Sequence, residues 1–323
     1  MKLSARMKVL LGLLTVLVSL SLVAVVGCRP TTHPAVPATL GAARSSADLE
    51  AVVDVPGPVA VETVDAADWK VDRAGLINLD HPKAKAAHLE SGPEPIQIFF
   101  HALRHPTRGL FIVDTGVERR LGTDPEHAAL RGIVASAANA DALKIHVDTA
   151  TWLAGQPDPL AGVLLTHLHL DHILGLPDVP KGTPIYVGAG ETSERTTMNV
   201  LGQGTADRAL EGHAPIQELA FSPDPKGVFD GVLDLFGDGS VWAIAVPGHT
   251  AGSVAYLART PSGPILLVGD ASHTAFGWEN GVEPGTFTKD AERGAKSFQR
   301  LQDLVARHPA IRVRLGHQHL GAR

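Results

Sequence analysis

Cysteine is almost absent from this chain of 323 residues: there is one, at position 28. No intrachain disulfide is possible, and zinc knuckles built on several thiolates are excluded. Positive charge is scarce as well. The chain carries 28 Lys+Arg against 34 Asp+Glu. Lys2, Arg6 and Lys8 stand in the first 27 residues, where there is no acid, so the remainder has 25 against 34, a net charge of −9. Such a body cannot release counterions along a phosphate backbone, which argues against a nucleic-acid partner. No internal repeat is visible. With 44% hydrophobic and 19% charged residues, the chain is neither a disordered acidic tail nor a small scaffold needing staples. Its length suits one large domain or two small ones. What it has in excess is histidine, sixteen in all, the commonest metal ligand.

The N-terminus reads as an export signal. A basic start precedes Val9 to Val26, which holds no charge and runs into Gly27-Cys28. This resembles the lipobox of bacterial lipoproteins, in which the cysteine becomes the first residue and carries acyl chains. The alternative is a retained signal anchor, since about 18 apolar residues just span a bilayer. Residues 1–27 are thus expected to be a signal peptide and 28–50 a lipidated cysteine with a flexible linker. The linker expectation rests on the Pro, Ala, Thr and Ser of residues 29–46. Residues 51–323 form the folded domain, exported and membrane-anchored through Cys28.

Within that domain, short apolar runs alternate with longer amphipathic segments, the pattern of an α/β fold. Strands are expected at Ile96–Phe100, Leu110–Val113, Val163–Thr166, Ile185–Val187, Val241–Val246, Ser253–Ala258, Ile265–Val268 and Ile311–Leu315. Asp124-Pro125 offers a cap and a first-turn proline for a helix over Glu126–Ala138. Thr288 offers a cap for Lys289–Arg307, whose Ala291, Ala295, Phe298, Leu301 and Val305 share a face. Long glycine- and proline-rich loops lie at 174–184, 221–231 and 277–285.

Chemistry concentrates in Thr166-His167-Leu168-His169-Leu170-Asp171-His172, directly after an expected strand. On an extended stretch alternate residues point the same way, so His167, His169 and Asp171 converge, and His172 joins where the chain turns. A packed core does not collect such polar groups without a use for them, and nitrogen with oxygen donors is a metal-ligand set. Three further segments follow the same pattern: Gly248-His249, Gly269-Asp270 and Gly316-His317, each just past a strand. Strand ends gathered on one sheet edge are where α/β folds build sites.

These motifs, His-x-His-x-Asp-His at 167–172 with His249, Asp270, His317 and the early Val113-Asp114-Thr115-Gly116, resemble the metallo-β-lactamase superfamily over roughly residues 75 to 320. The resemblance implies a four-layer αββα fold, with two packed mixed β-sheets and outer helices. It implies two divalent metal ions, usually zinc. His167, His169 and His249 would hold one, Asp171, His172 and His317 the other, with Asp270 bridging. Asp114 would orient ligands, and His319 would be a bystander. The reaction class is hydrolysis of a small molecule, with Asp171 holding or relaying a proton.

True metallo-β-lactamases carry cysteine or serine at the place of Asp270, which argues against β-lactams. Gly269-Asp270-Ala271-Ser272-His273-Thr274 and His249-Thr250-Ala251-Gly252-Ser253 resemble the acyl-homoserine lactonase branch more closely, which implies attack on a lactone or ester carbonyl. That branch has a tyrosine where this chain has His273. His273 is therefore a candidate catalytic residue with three open roles: a donor to substrate, a metal or phosphate contact, or a plain supporting histidine. Phosphodiesterase or thioesterase activity, and a non-catalytic membrane-anchored binding protein, stand as alternatives. Phe276, Trp278 and Phe287 could wall an acyl chain, with ordinary packing the competing reading, and Met198 and Leu201 could line a lid. His33, His81, His88, His101, His127, His146 and His213 are read as surface or structural.

Overall fold

The computed structural model describes residues 27–197 and 199–321. The signal-like segment lies outside the described residues apart from Gly27, as does Met198. Two mixed sheets carry the fold, with strands numbered in chain order. The first runs β1 (Ala35–Pro37), β9 (Ile216–Glu218), β8 (Ile185–Val187), β7 (Leu160–Leu164), β5 (Gly109–Val113), β4 (Pro93–His105), β3 (Ala60–Asp72) and β6 (Lys144–Ile145). The second runs β14 (Arg312–Arg314), β13 (Gly263–Leu267), β12 (Val254–Thr260), β11 (Val241–Ala245), β10 (Val232–Asp234) and β2 (Ala42–Arg44).

The apolar runs read as strands because both of their faces are covered. In β5, Phe111 and Val113 enter a core shared with Tyr256, Val254 and Leu267 of the second sheet. Leu110 and Ile112 face the opposite way, into a core covered by helices. On the outer face of the second sheet, Leu257 and Leu266 pack with Phe298, Leu301 and Leu304 of helix Ala291–Arg307. Three apolar layers separate four structural ones, as the resemblance implied. All eight expected strands are present, with ends shifted by a few residues.

Three expectations need correction, and one long strand is additional to those expected. The long strand β3 was not read, although Val64 and Trp69 are buried along it; its charged residues broke up the apolar run. The flexible linker over 29–46 is instead part of both sheets. Ala35–Pro37 pairs in parallel with β9, and Ala42–Arg44 pairs antiparallel with β10. The helix over Glu126–Ala138 is broken into a 3₁₀ turn, Pro125–His127, and a helix, Gly132–Ala137. The amide of Ala129 is taken by the Glu118 carboxylate at 2.6 Å rather than by a helical carbonyl. Finally, Asp290, not Thr288, caps the last helix by accepting from the Arg293 amide.

Glu118 is buried, and burial pushes its carboxyl up to about 7. Between the ordinary carboxyl range and that value the folded chain holds more protons than the unfolded one, so stability falls as pH rises. Glu118→Gln keeps an acceptor for Ala129 and removes the titration. The variant is expected to match the parent near about pH 5 and exceed it by about 1–2 kcal/mol near pH 8, discounted for partial solvent screening. Thermal denaturation at the two pH values checks this; an equal gain at both would locate the effect elsewhere.

Candidate metal centre

The sheets bring their strand ends to one edge. β5 and β7 are parallel neighbours, so Asp114 and the 166–172 motif emerge side by side. β11 and β13 both run antiparallel to β12, and β14 runs parallel to β13. His249, Asp270 and His317 therefore leave the second sheet toward the same edge. Two glycines allow the approach. Gly248 has φ +142°, and a Cβ there would overlap the backbone at Gly294 of the last helix. A Cβ at Gly316 would overlap Asp270 Oδ1.

All seven expected ligands converge. His167, His169, His249 and Asp270 form one group of donor atoms that could hold an ion, and Asp171, His172, Asp270 and His317 form a second. Within each group the donors lie within 4.8 Å of one another. Asp270 divides its oxygens between them. Its Oδ2 is 3.3 Å from His249 Nε2 and 3.7 Å from His167 Nε2. Its Oδ1 is 3.3 Å from His172 Nε2 and 3.4 Å from His317 Nε2. Asp171 Oδ2 lies 3.1 Å from His317 Nε2. His319 is exposed and lies tilted against Phe99, ring centroids 4.7 Å apart, outside both groups.

The donor chemistry fits a pair of cations. His167 Nε2, His172 Nε2, His273 Nε2 and Asp270 Oδ1 are buried without a hydrogen-bond partner, and all four face the centre. Each orphan of this kind costs about 1–3 kcal/mol, a cost that cation binding removes. Burial holds His167 and His249 well below the usual imidazole range, so their nitrogens present lone pairs. Burial also opposes charge on His317, but the Asp270 and Asp171 carboxylates outweigh it and push it up to about 10. At His172 burial is likewise overcome, by Asp270, Asp114 and Asp171, and the ring sits well above its usual range. Protons there occupy places that cations would take.

The outer nitrogens are fixed from behind. His172 Nδ1 meets Asp114 Oδ2 at 2.8 Å, and Asp114 in turn accepts from the Thr166 amide at 2.8 Å. Asp114 sits at φ +59°, an uncommon conformation that the short polar side chain tolerates. His317 Nδ1 donates to the Gln97 carbonyl at 2.9 Å. His249 Nδ1 lies 3.4 Å from Thr288 Oγ1, the use to which that residue is put instead of capping. His273 is also brought to the centre. Its Nδ1 donates to the Leu76 carbonyl at 3.0 Å, and its Nε2 lies 3.1 Å from Asp270 Oδ2. A carbonyl only accepts, so in the neutral ring the proton is on Nδ1 and Nε2 offers a lone pair.

Sequence reasoning missed Glu191. Its Oε1 accepts from the Leu168 amide at 2.8 Å. Its Oε2 accepts from Thr250 Oγ1 at 2.6 Å and the Gly252 amide at 3.0 Å. One buried carboxyl thus ties together the two loops that carry His167, His169 and His249. No local motif marks it, because all three partners are distant in sequence.

A cavity of about 900 Å³ opens on the centre. His169, Asp171, His249, Asp270, His273 and His317 form its floor. Trp69, Leu76, Ile96, Val134, Leu201 and Phe287 are among its walls. Of the three aromatic residues considered for an apolar wall, Phe287 lines the cavity. Trp278 instead packs against Phe298 in the second sheet's outer core, and Phe276 packs against the first.

Residues 95–317 match the family model of the metallo-beta-lactamase superfamily. The chain is 30% identical to the N-acyl homoserine lactonase AttM of Rhizobium johnstonii over 225 residues, 69% of this chain and 82% of that protein. It is 32% identical to the gamma-lactamase MBL2 of Gibberella moniliformis over 173 residues, 50% of this chain and 70% of that one. Its fold is shared with a B. thuringiensis AiiA variant holding N-decanoyl-L-homoserine at its active site. There the TM-score is 0.56 at 19% identity, over 81% of this chain and 94% of that chain. Two donor groups joined by a shared carboxylate, on a fold of this architecture, make the chain a member of the metallo-beta-lactamase superfamily and, within it, a metal-dependent hydrolase.

Proposed function

We propose that this protein hydrolyses N-acyl lactones of the homoserine type, using two zinc ions. The observation that carries the reading is the pairing of a polar floor with apolar walls. The donor groups lie at the bottom of a cavity suited to an acyl chain, and Lys70 is the sole lysine or arginine among the lining residues. That lining gives little to attract a phosphodiester, and the retained donor set speaks against a binding protein without turnover.

Two divalent ions bound there supply Lewis acidity, which activates water at neutral pH. His167, His169 and His249 on one side and His172 and His317 on the other orient their donors toward a common point beside Asp270. Asp171 is the residue for proton movement. The His172 and His317 partners outweigh its burial and hold its carboxyl well below the usual range, so it begins ionised. It also lines the cavity floor. Its carboxylate takes the proton of the attacking water and returns it to the ring oxygen as the ring C–O bond breaks, leaving an N-acyl hydroxy acid. His273, with its lone pair turned inward, serves as an acceptor or further donor atom at the centre.

Turnover should be followed with zinc-loaded protein and a series of N-acyl homoserine lactones, beside a γ-lactam and an aryl phosphodiester. Each methylene that enters the apolar cavity adds about 0.8 kcal/mol, so kcat/KM is expected to rise up to about fourfold per methylene until the cavity is filled. Ring opening that ignores acyl length would remove the cavity from the reading. Phosphodiester cleavage without ring opening would overturn it.

A further inference from the structure

The sequence reading expects a membrane anchor at the N-terminus, and the structure shows how residues 28–32, which would follow it, are held. The Cys28 amide donates to the Thr196 carbonyl at 3.0 Å, and the Thr196 amide donates back to Cys28 at 3.1 Å. Asn199 Nδ2 donates to the Cys28 carbonyl at 3.1 Å, and Gln203 Nε2 to the Arg29 carbonyl at 2.8 Å. Asp207 then accepts from the Thr32 amide and hydroxyl at 2.7 and 2.8 Å. Residues 28–32 are thus fastened along helix Asn199–Ala209, with Pro30 in the cavity wall. Whether the anchor is acyl chains on Cys28 or the retained uncharged segment 9–26, it departs from the same fastened residue.

That residue sits beside an apolar rim. Five large hydrophobic side chains are exposed among the described residues; Leu201 lines the cavity, and Ile133 and Val200 are chain neighbours of the lining residues Val134 and Leu201. Ile133 is 85% exposed, Leu201 60% and Val200 40%. They project from helices Gly132–Ala137 and Asn199–Ala209, which pack together and both line the cavity. Exposed apolar groups on two packed helices that border one cavity are the kind of feature that an interaction surface uses.

We infer that the cavity mouth is seated on a lipid bilayer, with Ile133, Val200 and Leu201 inserted at its surface, so that acyl substrates reach the centre from the membrane. A flexible linker would let the body stand away from the anchor; here no linker intervenes between Cys28 and the rim. The docking rests on the anchor reading of the N-terminus, and the route of entry rests also on the proposed lactone chemistry.

The full-length protein in phosphatidylcholine–phosphatidylglycerol vesicles with brominated acyl chains provides the test. An environment-sensitive dye is placed by Ile133→Cys and, separately, by Ser262→Cys. Ser262 lies in the turn before β13, at the end of that strand opposite Asp270. Cys28 is either acylated or labelled alike in both variants, so the comparison stands. An interfacial rim sits roughly 5–10 Å into the headgroup–acyl boundary, so the dye at 133 is expected to lose at least about half its emission and the dye at 262 almost none. Equal emission at both sites in vesicle-bound protein would overturn the docking, as would failure of the protein to float with vesicles. None of these readouts depends on turnover. Where lactones are hydrolysed, Ile133→Glu with Val200→Glu should leave a short soluble lactone unaffected and slow a vesicle-partitioned one severalfold. Equal rates on both would overturn the route of entry.

Discussion

Asp270→Ala is expected to abolish turnover and to lower bound metal together. Asp270 is the one residue common to both donor groups, so its loss takes each from four donors to three. It also removes the negative charge that His172 and His317 face through Oδ1 and that His249 and His273 face through Oδ2. A fall in kcat/KM of at least about a thousandfold corresponds to about 4 kcal/mol of lost transition-state stabilisation. Metal stoichiometry by elemental analysis is the second readout, and circular dichroism the control for folding, since Asp270 belongs to none of the three apolar cores. Full activity with two metals bound would sink the bridging role.

Asp114→Asn is the sharper experiment, because it changes one proton rather than one ligand. The substitution preserves shape and tolerates the positive φ of this position. Asp114 accepts from His172 Nδ1 and from the Thr166 amide at once. An amide has one acceptor and one donor end, so one of those two contacts must meet a donor. If the NH₂ faces His172, the ring proton moves to Nε2, the atom that faces Asp270 and Asp171. Metal affinity is expected to fall about 10–100-fold, with the unfolding midpoint of the metal-free protein little changed. Competition with a chelator measures the first and calorimetry the second. Unaltered affinity would mean that the tautomer of His172 is set by something other than Asp114.

The residues of the centre were legible because each lies within a few positions of a strand end. His167, His169, Asp171 and His172 share one turn of chain, and His249, Asp270 and His317 each carry a neighbouring glycine. Local pattern therefore stood in for three-dimensional proximity. Glu191 lacked any such signal: its partners Leu168, Thr250 and Gly252 are 23 to 61 positions away. The same limit explains Thr288 and Asp290. Both are competent caps by type, and only the position of His249 across the fold decides which of them is free to cap. Residues 29–46 misled through composition. Proline and alanine commonly signal a tether, yet three-residue strands need little β-propensity when an existing strand supplies the partners.

Those two short strands have one more consequence. A single stretch, residues 35–44, occupies the outermost position of both sheets, beside β9 in one and β10 in the other. Without it, β9 and β10 would each present a bare row of amides and carbonyls, a template on which another chain could polymerise. The strands that cover them are three residues long, and Pro37 ends the first. Short, proline-bearing borders are poor templates in their turn. The stretch between Cys28 and the body of the enzyme is thus also its guard against self-association while the chain is folding.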